Sequence, residues 1–205
     1  ISTPIGYDEI SVGEWFPKIG IGFLQKVNTK PYDFMQDYPM QAMPIEFKQT
    51  SDAQVTFKQE SKVVGGWGWI LRKGFSLDGS KLIIDYALEN IGEKPLTTEQ
   101  YNHNFIAINE ETIGPDYQLG ASFPLKFEVL GGSINVDNDT LNLTEVPSSY
   151  IYAQQLDCAN QQDVEWRLVH HPSGHGMNVS EKFLLFKLAV WANSHAISPE
   201  FFVWI

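Results

Sequence analysis

The run "GGWGWILRKGFSLDGSKLIIDYALENIGEKPL", Gly65 to Leu96, decides the fold class. It reads as two or three strands, broken at Asp78-Gly79 and at Ile91-Gly92-Glu93, where the residues favour hairpins or short loops. The same reading extends in both directions. "VTFKQES", Val55 to Ser61, alternates apolar and polar residues as a half-buried strand does. "FPLKFEVLGGSINV" has a turn at Gly131-Gly132. "VEWRLVHHPSGHGMNVSEKFLLFKLAVWA" gives a strand, a Pro/Gly turn, a strand and a longer apolar strand. No window holds a 3.6-residue apolar period capped at both ends, so helix is a minor component. Many short antiparallel strands without a helical layer point to an all-β sandwich or barrel.

The 205 residues suit one large all-β domain, with 43% hydrophobic and 13% aromatic residues to fill a core. One β-sandwich over residues 1–205 is therefore expected, with the proline- and aromatic-rich "VNTKPYDFMQDYPMQAMPIEF" as a long ordered loop. The chain opens on Ile1 and stops inside the apolar run "FFVWI", which reads as a portion of a longer protein. Net charge is −11, and only Arg72 and Arg167 are arginines. Such a chain repels phosphate backbones, which argues against nucleic acid as a partner and against bidentate arginine grips on phosphorylated substrates. No apolar run is long enough to span a membrane as a helix, so no membrane partner is expected. Cys158 is the single cysteine, which excludes an internal disulfide and a cysteine-rich zinc site.

The chemistry concentrates in a few places. In "TTEQYNHNFIAI", Thr97 to Ile108, strand alternation puts Tyr101, His103, Phe105 and Ala107 on one side and Asn102, Asn104, Ile106 and Ile108 on the other. His103 is either a core histidine satisfied by a carbonyl or a group presented to a wet strand end. In "HAISPEFFVWI", Glu200 is the only charged residue between His195 and the chain end. A carboxylate held among bulky apolar residues suits a general acid or base, although a strand-start glutamate pointing into water fits the same pattern. "HHPSGH" brings His170, His171 and His175 together, but Pro-Ser-Gly reads as a hairpin tip and no ligand set is completed, so no metal site is expected. Trp67, Trp69, Trp191 and Trp204 are either core residues or a platform for stacking sugar rings.

"LIIDYALENIGEKPLTTEQYNHNF" resembles the aldose 1-epimerase (galactose mutarotase-like) family, in which a strand ending L-x-N-x-G-x-x-P is followed by a histidine-aromatic motif. Leu88, Asn90, Gly92 and Pro95 match the first element, and Asn102-His103-Asn104-Phe105 approximates the second. "VWANSHAISPEFF" resembles the family's closing strand with its catalytic glutamate, and "GYDEISVGEWFPKIGIGFL" resembles its less-studied bacterial members. The resemblance implies an antiparallel β-supersandwich with a sugar-binding cleft. It also implies an isomerase that interconverts the α and β anomers of a free neutral monosaccharide without cofactor or metal.

Carried over by position, His103 is the acid that protonates the ring oxygen and Glu200 the base that takes the anomeric hydroxyl proton. Asn102, Asn104, Asp116, His171 and His175 are candidates for binding sugar hydroxyls. On this reading His103 and Glu200 face each other across a cleft, about 5 to 7 Å apart, to bracket the hemiacetal. Alternatives are a non-catalytic carbohydrate-binding module or a supporting domain of a glycan-processing enzyme. The acidic balance and the implied glycan substrate lean toward a bacterial periplasmic or cytoplasmic protein.

Overall fold

A computed structural model describes residues 3–158 and 161–204, with Trp204 described by its backbone alone. Ile1, Ile205 and the Trp204 side chain, one of the stacking candidates, lie outside the described residues. The chain divides into two compact units, Ile1–Thr98 and Glu99–Ile205. Apart from a one-turn 3-10 helix at Tyr7–Glu9, the regular structure among the described residues is β-strand. No described helix is long and apolar enough to cross a membrane.

The first unit holds two sheets. β1 (Trp15–Lys18), β2 (Gly22–Gln25) and β3 (Met40–Ala42) form one, and β4 (Glu46–Ser51), β5 (Gln54–Glu60), β6 (Trp69–Asp78) and β7 (Lys81–Asn90) form a sequential meander. The deciding run thus yields one long hairpin. β6 and β7 pair from Trp69↔Asn90 to Asp78↔Lys81, closed by Gly79-Ser80, and Gly79 has φ 58°. Glycine at the first central position with φ > 0 matches a turn whose twist suits the flanking strands.

The register sorts the meander's residues. Phe47, Phe57, Lys73 and Tyr86 stand in one cross-strand row, with Val55, Phe75 and Ile84 in a neighbouring row on the same face. The opposite face carries ion pairs, Lys58–Glu60 at 2.6 Å and Arg72–Glu89 at 2.8 Å. Phe23 covers one end of the apolar face, its ring centroid 5.8 Å from that of Trp69. Phe47, Leu82 and Ile84 remain exposed.

The second unit packs two five-stranded sheets over one core. Its strands are β8 (Glu99–Gln100), β9 (Tyr117–Ala121), β10 (Glu128–Gly131), β11 (Ile134–Asp137), β12 (Thr140–Leu143), β13 (Ile151–Gln155), β14 (Val164–His170), β15 (His175–Glu181), β16 (Leu185–Ala192) and β17 (Ile197–Trp204). The sheet orders are β10-β13-β16-β17-β8 and β11-β12-β9-β14-β15. Alternation fills the space between them. Leu119, Leu141, Trp166 and Leu168 from one sheet meet Ile151, Leu188, Val190, Ile197 and Phe201 from the other, and all are buried. Trp166 stacks on Phe201 with ring centroids 5.4 Å apart. Cys158 lies in this core, and burial pushes its thiol up to about 11.

The strands therefore do not form the expected supersandwich. Among the described residues they fall into four separate sheets shared between two units. The meander closes its hydrogen bonds within residues 46–90 through consecutive hairpins. The turn at Gly131-Gly132 moves the chain from β10 in one sheet to β11 in the other instead of closing a hairpin. Gly132 has φ 77°, and a Cβ there would collide with the Ile151 side chain, so glycine is required at this crossing.

Trp166 Nε1 donates to Glu181 Oε1 at 2.9 Å. Burial raises the Glu181 carboxyl above its ordinary value of 4.5, and the indole N–H offsets part of this. A raised acid favours the folded state while protonated, and that contribution is lost as pH rises through the folded value. Glu181→Gln keeps an acceptor for the indole and removes this dependence. Its denaturation midpoint is expected to match wild type at about pH 4 and to exceed it at about pH 8. Equal midpoints at both pH values would refute the assignment.

Candidate functional site

The segment after β8 runs antiparallel to β17. Gln100 pairs with Val203, and Ile106 pairs with Ile197 by two backbone hydrogen bonds of 2.9 and 3.0 Å. Both pairs share one register, which places Tyr101 opposite Phe202, His103 opposite Glu200, Asn104 opposite Pro199 and Phe105 opposite Ser198. Yet residues 101–105 are not assigned as strand. Pro199 explains the gap. Backbone groups two residues apart aim to the same side of an antiparallel strand, so residue 199, like Ile197, faces this segment. Proline has no N–H to offer there. Asn104 reaches across the break with its side chain, Nδ2 donating to the Pro199 carbonyl at 3.0 Å.

His103 and Glu200 occupy a position in this register that lacks mutual backbone bonds, the kind that brings opposed side chains closest. His103 Nδ1 lies 2.7 Å from Glu200 Oε1, and the His103 side chain is 52% exposed against 6% for Glu200. Ile197 and Phe201 point into the core, so Glu200 stands on the other face, its burial notwithstanding. A buried carboxylate is costly unless paired, and His103 supplies the pair. Ser198 Oγ lies 3.4 Å from the same carboxylate oxygen.

On the outer side of the ring, His103 Nε2 lies 3.2 Å from the Tyr101 hydroxyl. With the proton on Nδ1, the imidazole donates to Glu200 and Nε2 accepts from Tyr101. Burial, and then the charges of Glu200 and Glu99, raise the Tyr101 hydroxyl above its usual range. The same causes in the same order raise Tyr152. Both phenols are therefore hydrogen-bond donors at neutral pH.

Aromatic rings frame the pair. Phe105 stacks on the His103 ring at 5.2 Å with 5° between planes, and Trp191 meets Phe105 edge-on at 5.4 Å. Tyr101 stacks on Phe202 at 4.3 Å. Phe105 is 57% exposed.

The sequence candidates thus separate. His103 and Glu200 come together, with Tyr101 and Phe105 beside them, in direct contact instead of across a cleft of 5 to 7 Å, because the register sets them opposite each other. Asn104 Nδ2 is engaged by the Pro199 carbonyl. Asn102 is exposed on the alternate side of the segment. His175 opens β15 of the other sheet, and Asp116 and His171 lie in turns next to β9 and β14 of that sheet. The Asp116 carbonyl accepts from the His171 N–H at 3.0 Å, and His175 Nδ1 lies 2.9 Å from Asn109 Nδ2. His170 is buried with Nδ1 2.9 Å from Ser173 Oγ. Trp67 and Trp69 are buried in the first unit, leaving Trp191 near the pair.

Tyr101, Ser198 and Tyr152 escaped the sequence reading as site residues. For Tyr101 the signal was present, since it shares the His103 face; Tyr152 is reached only through the pairing of β13 with β16.

Comparison with family models, with curated proteins and with solved structures gives no match.

The ladder break yields a test. Pro199→Ala supplies an N–H facing the Asn104 carbonyl, so amides 101–105 are expected to exchange more slowly with solvent deuterium than in wild type. Unchanged exchange would show that something other than Pro199 interrupts the ladder.

Proposed function

We propose that this protein is an aldose 1-epimerase, acting on a free neutral monosaccharide through His103 and Glu200. The observation that supports the reading is the 2.7 Å contact between an exposed imidazole and a buried carboxylate, on a sheet face edged by aromatic rings. Anomer exchange needs one proton donor and one acceptor at adjacent oxygens of the same carbon. Glu200 takes the proton from the anomeric hydroxyl while His103, in its protonated form, gives one to the ring oxygen. The C1–O5 bond breaks and the C1–O1 carbonyl forms. Rotation about C1–C2 presents the other carbonyl face, and the reverse transfers close the ring.

The direct contact has a use in this scheme. Glu200 holds the imidazole through Nδ1, which leaves Nε2 to give and retake the ring-oxygen proton, and ring closure by the reverse transfers restores both groups. The sugar must displace Tyr101 from Nε2 or use its hydroxyl as a relay. Exposed Phe105, with Trp191 edge-on to it, offers apolar area for a pyranose face. That same feature favours the second reading, a carbohydrate-binding module without catalysis.

Polarimetry of freshly dissolved α-D-glucose and α-D-galactose separates the two. Wild type is expected to accelerate the change in rotation, and His103→Ala and Glu200→Ala to lower that acceleration by about 10²–10⁴-fold. Acceleration that survives both substitutions would overturn the assignment of the pair. Saturable sugar binding without acceleration would select the binding module.

A further inference from the structure

The apolar face of the β4–β7 meander has a second candidate site, in the first unit and independent of His103 and Glu200. A cavity of about 260 Å³ is floored by Phe57, Leu71 and Phe75 and walled by Gly20 and Ile45. Two polar residues also line it, Gln59 and Lys73. Both stand on the apolar face by register, since Gln59 pairs with Leu71 and Lys73 with Phe57.

Each is out of place there in a different way. Gln59 is 3% exposed, and neither its Nε2 nor its Oε1 has a hydrogen-bond partner among the described residues. Trp69 Nε1, on the same face, is also unpartnered. A buried amide without partners is strongly unfavourable, and a polar group of a ligand beside it would relieve that cost. Lys73 differs from Lys58 and Arg72 of the opposite face. Lys58 and Arg72 hold carboxylates, whereas Lys73 Nζ lies 5.3 Å from the centroid of the Tyr86 ring. In a chain of net charge −11 this places a cation on an aromatic surface at a cavity.

We infer that this cavity binds a small amphipathic carboxylic acid. Its apolar body lies on Phe57, Leu71 and Phe75, and its carboxylate is held by Lys73 and the Gln59 amide. Phe57 and Phe75 meet edge-to-face with centroids 5.8 Å apart, which leaves one ring face available for stacking an aromatic or packing a short alkyl group. The volume admits a ligand of roughly a dozen heavy atoms, near the lower end for small-molecule pockets. The exposed remainder of the face, Phe47 and Ile84, gives a longer tail somewhere to run.

The test uses 4-phenylbutyrate and its neutral counterpart, 4-phenylbutanol, titrated into the whole chain by calorimetry. Wild type is expected to bind the acid in a saturable one-to-one manner, about tenfold more tightly than the alcohol. Lys73→Met should erase that preference and leave alcohol binding in place. Gln59→Leu should weaken the acid and, by removing an unpartnered buried amide, raise the melting temperature. Because Gln59→Leu is expected to stabilise the fold, lost binding in this variant is not confused with unfolding. No saturable binding by wild type, equal binding of acid and alcohol, or a Lys73→Met variant that keeps the preference would each overturn the proposal.

Discussion

Pro199 is the constraint on which the site depends. A proline inside a paired strand removes one donor from the ladder, and its neighbour must respond. Here the strand keeps its register, the Asn104 side-chain amide satisfies the Pro199 carbonyl, and residues 101–105 run beside β17 without closing onto it. Flanking pairs at Gln100–Val203 and Ile106–Ile197 pin both ends of this loosened stretch. His103 is thus held at a fixed height opposite Glu200 on backbone that is only partly committed to the sheet.

The pair so formed is asymmetric. Glu200 is almost sealed, while more than half of the His103 side chain meets solvent. The imidazole stands between solvent and the nearly sealed carboxylate, and the carboxylate orients the imidazole. Tyr101 braces the far nitrogen and is itself fixed by stacking on Phe202. The network is therefore short and directional, from a buried charge through one ring to a phenol near the surface.

Much of the local structure was legible. The β6–β7 hairpin follows from a Gly-containing break between apolar runs, and period-two alternation correctly set Tyr101, His103 and Phe105 on one face. What could not be read was which strand joins which sheet, because an alternating pattern identifies a face and not a neighbour. The supersandwich was what the family resemblance implied, and alternation alone does not distinguish it from the four sheets among the described residues. β17 hides its own alternation, since Ser198 and Glu200 are buried on one face and Ile197 and Phe201 on the other. The contact between His103 and Glu200 needs the register, and that comes from pairs far apart in the chain. Asp116, His171 and His175 share a sheet end with one another, which sequence order does not reveal.

Cys158 gives the second unit a built-in clock. Its thiol is sealed in the core and held largely in the un-ionised form, so reagents that require a thiolate find little to attack while the fold is intact. As the chain's single cysteine, it can be modified once only, without competing sites or disulfide scrambling. The rate at which an alkylating reagent consumes it therefore counts openings of this core, one molecule at a time, with no engineered label.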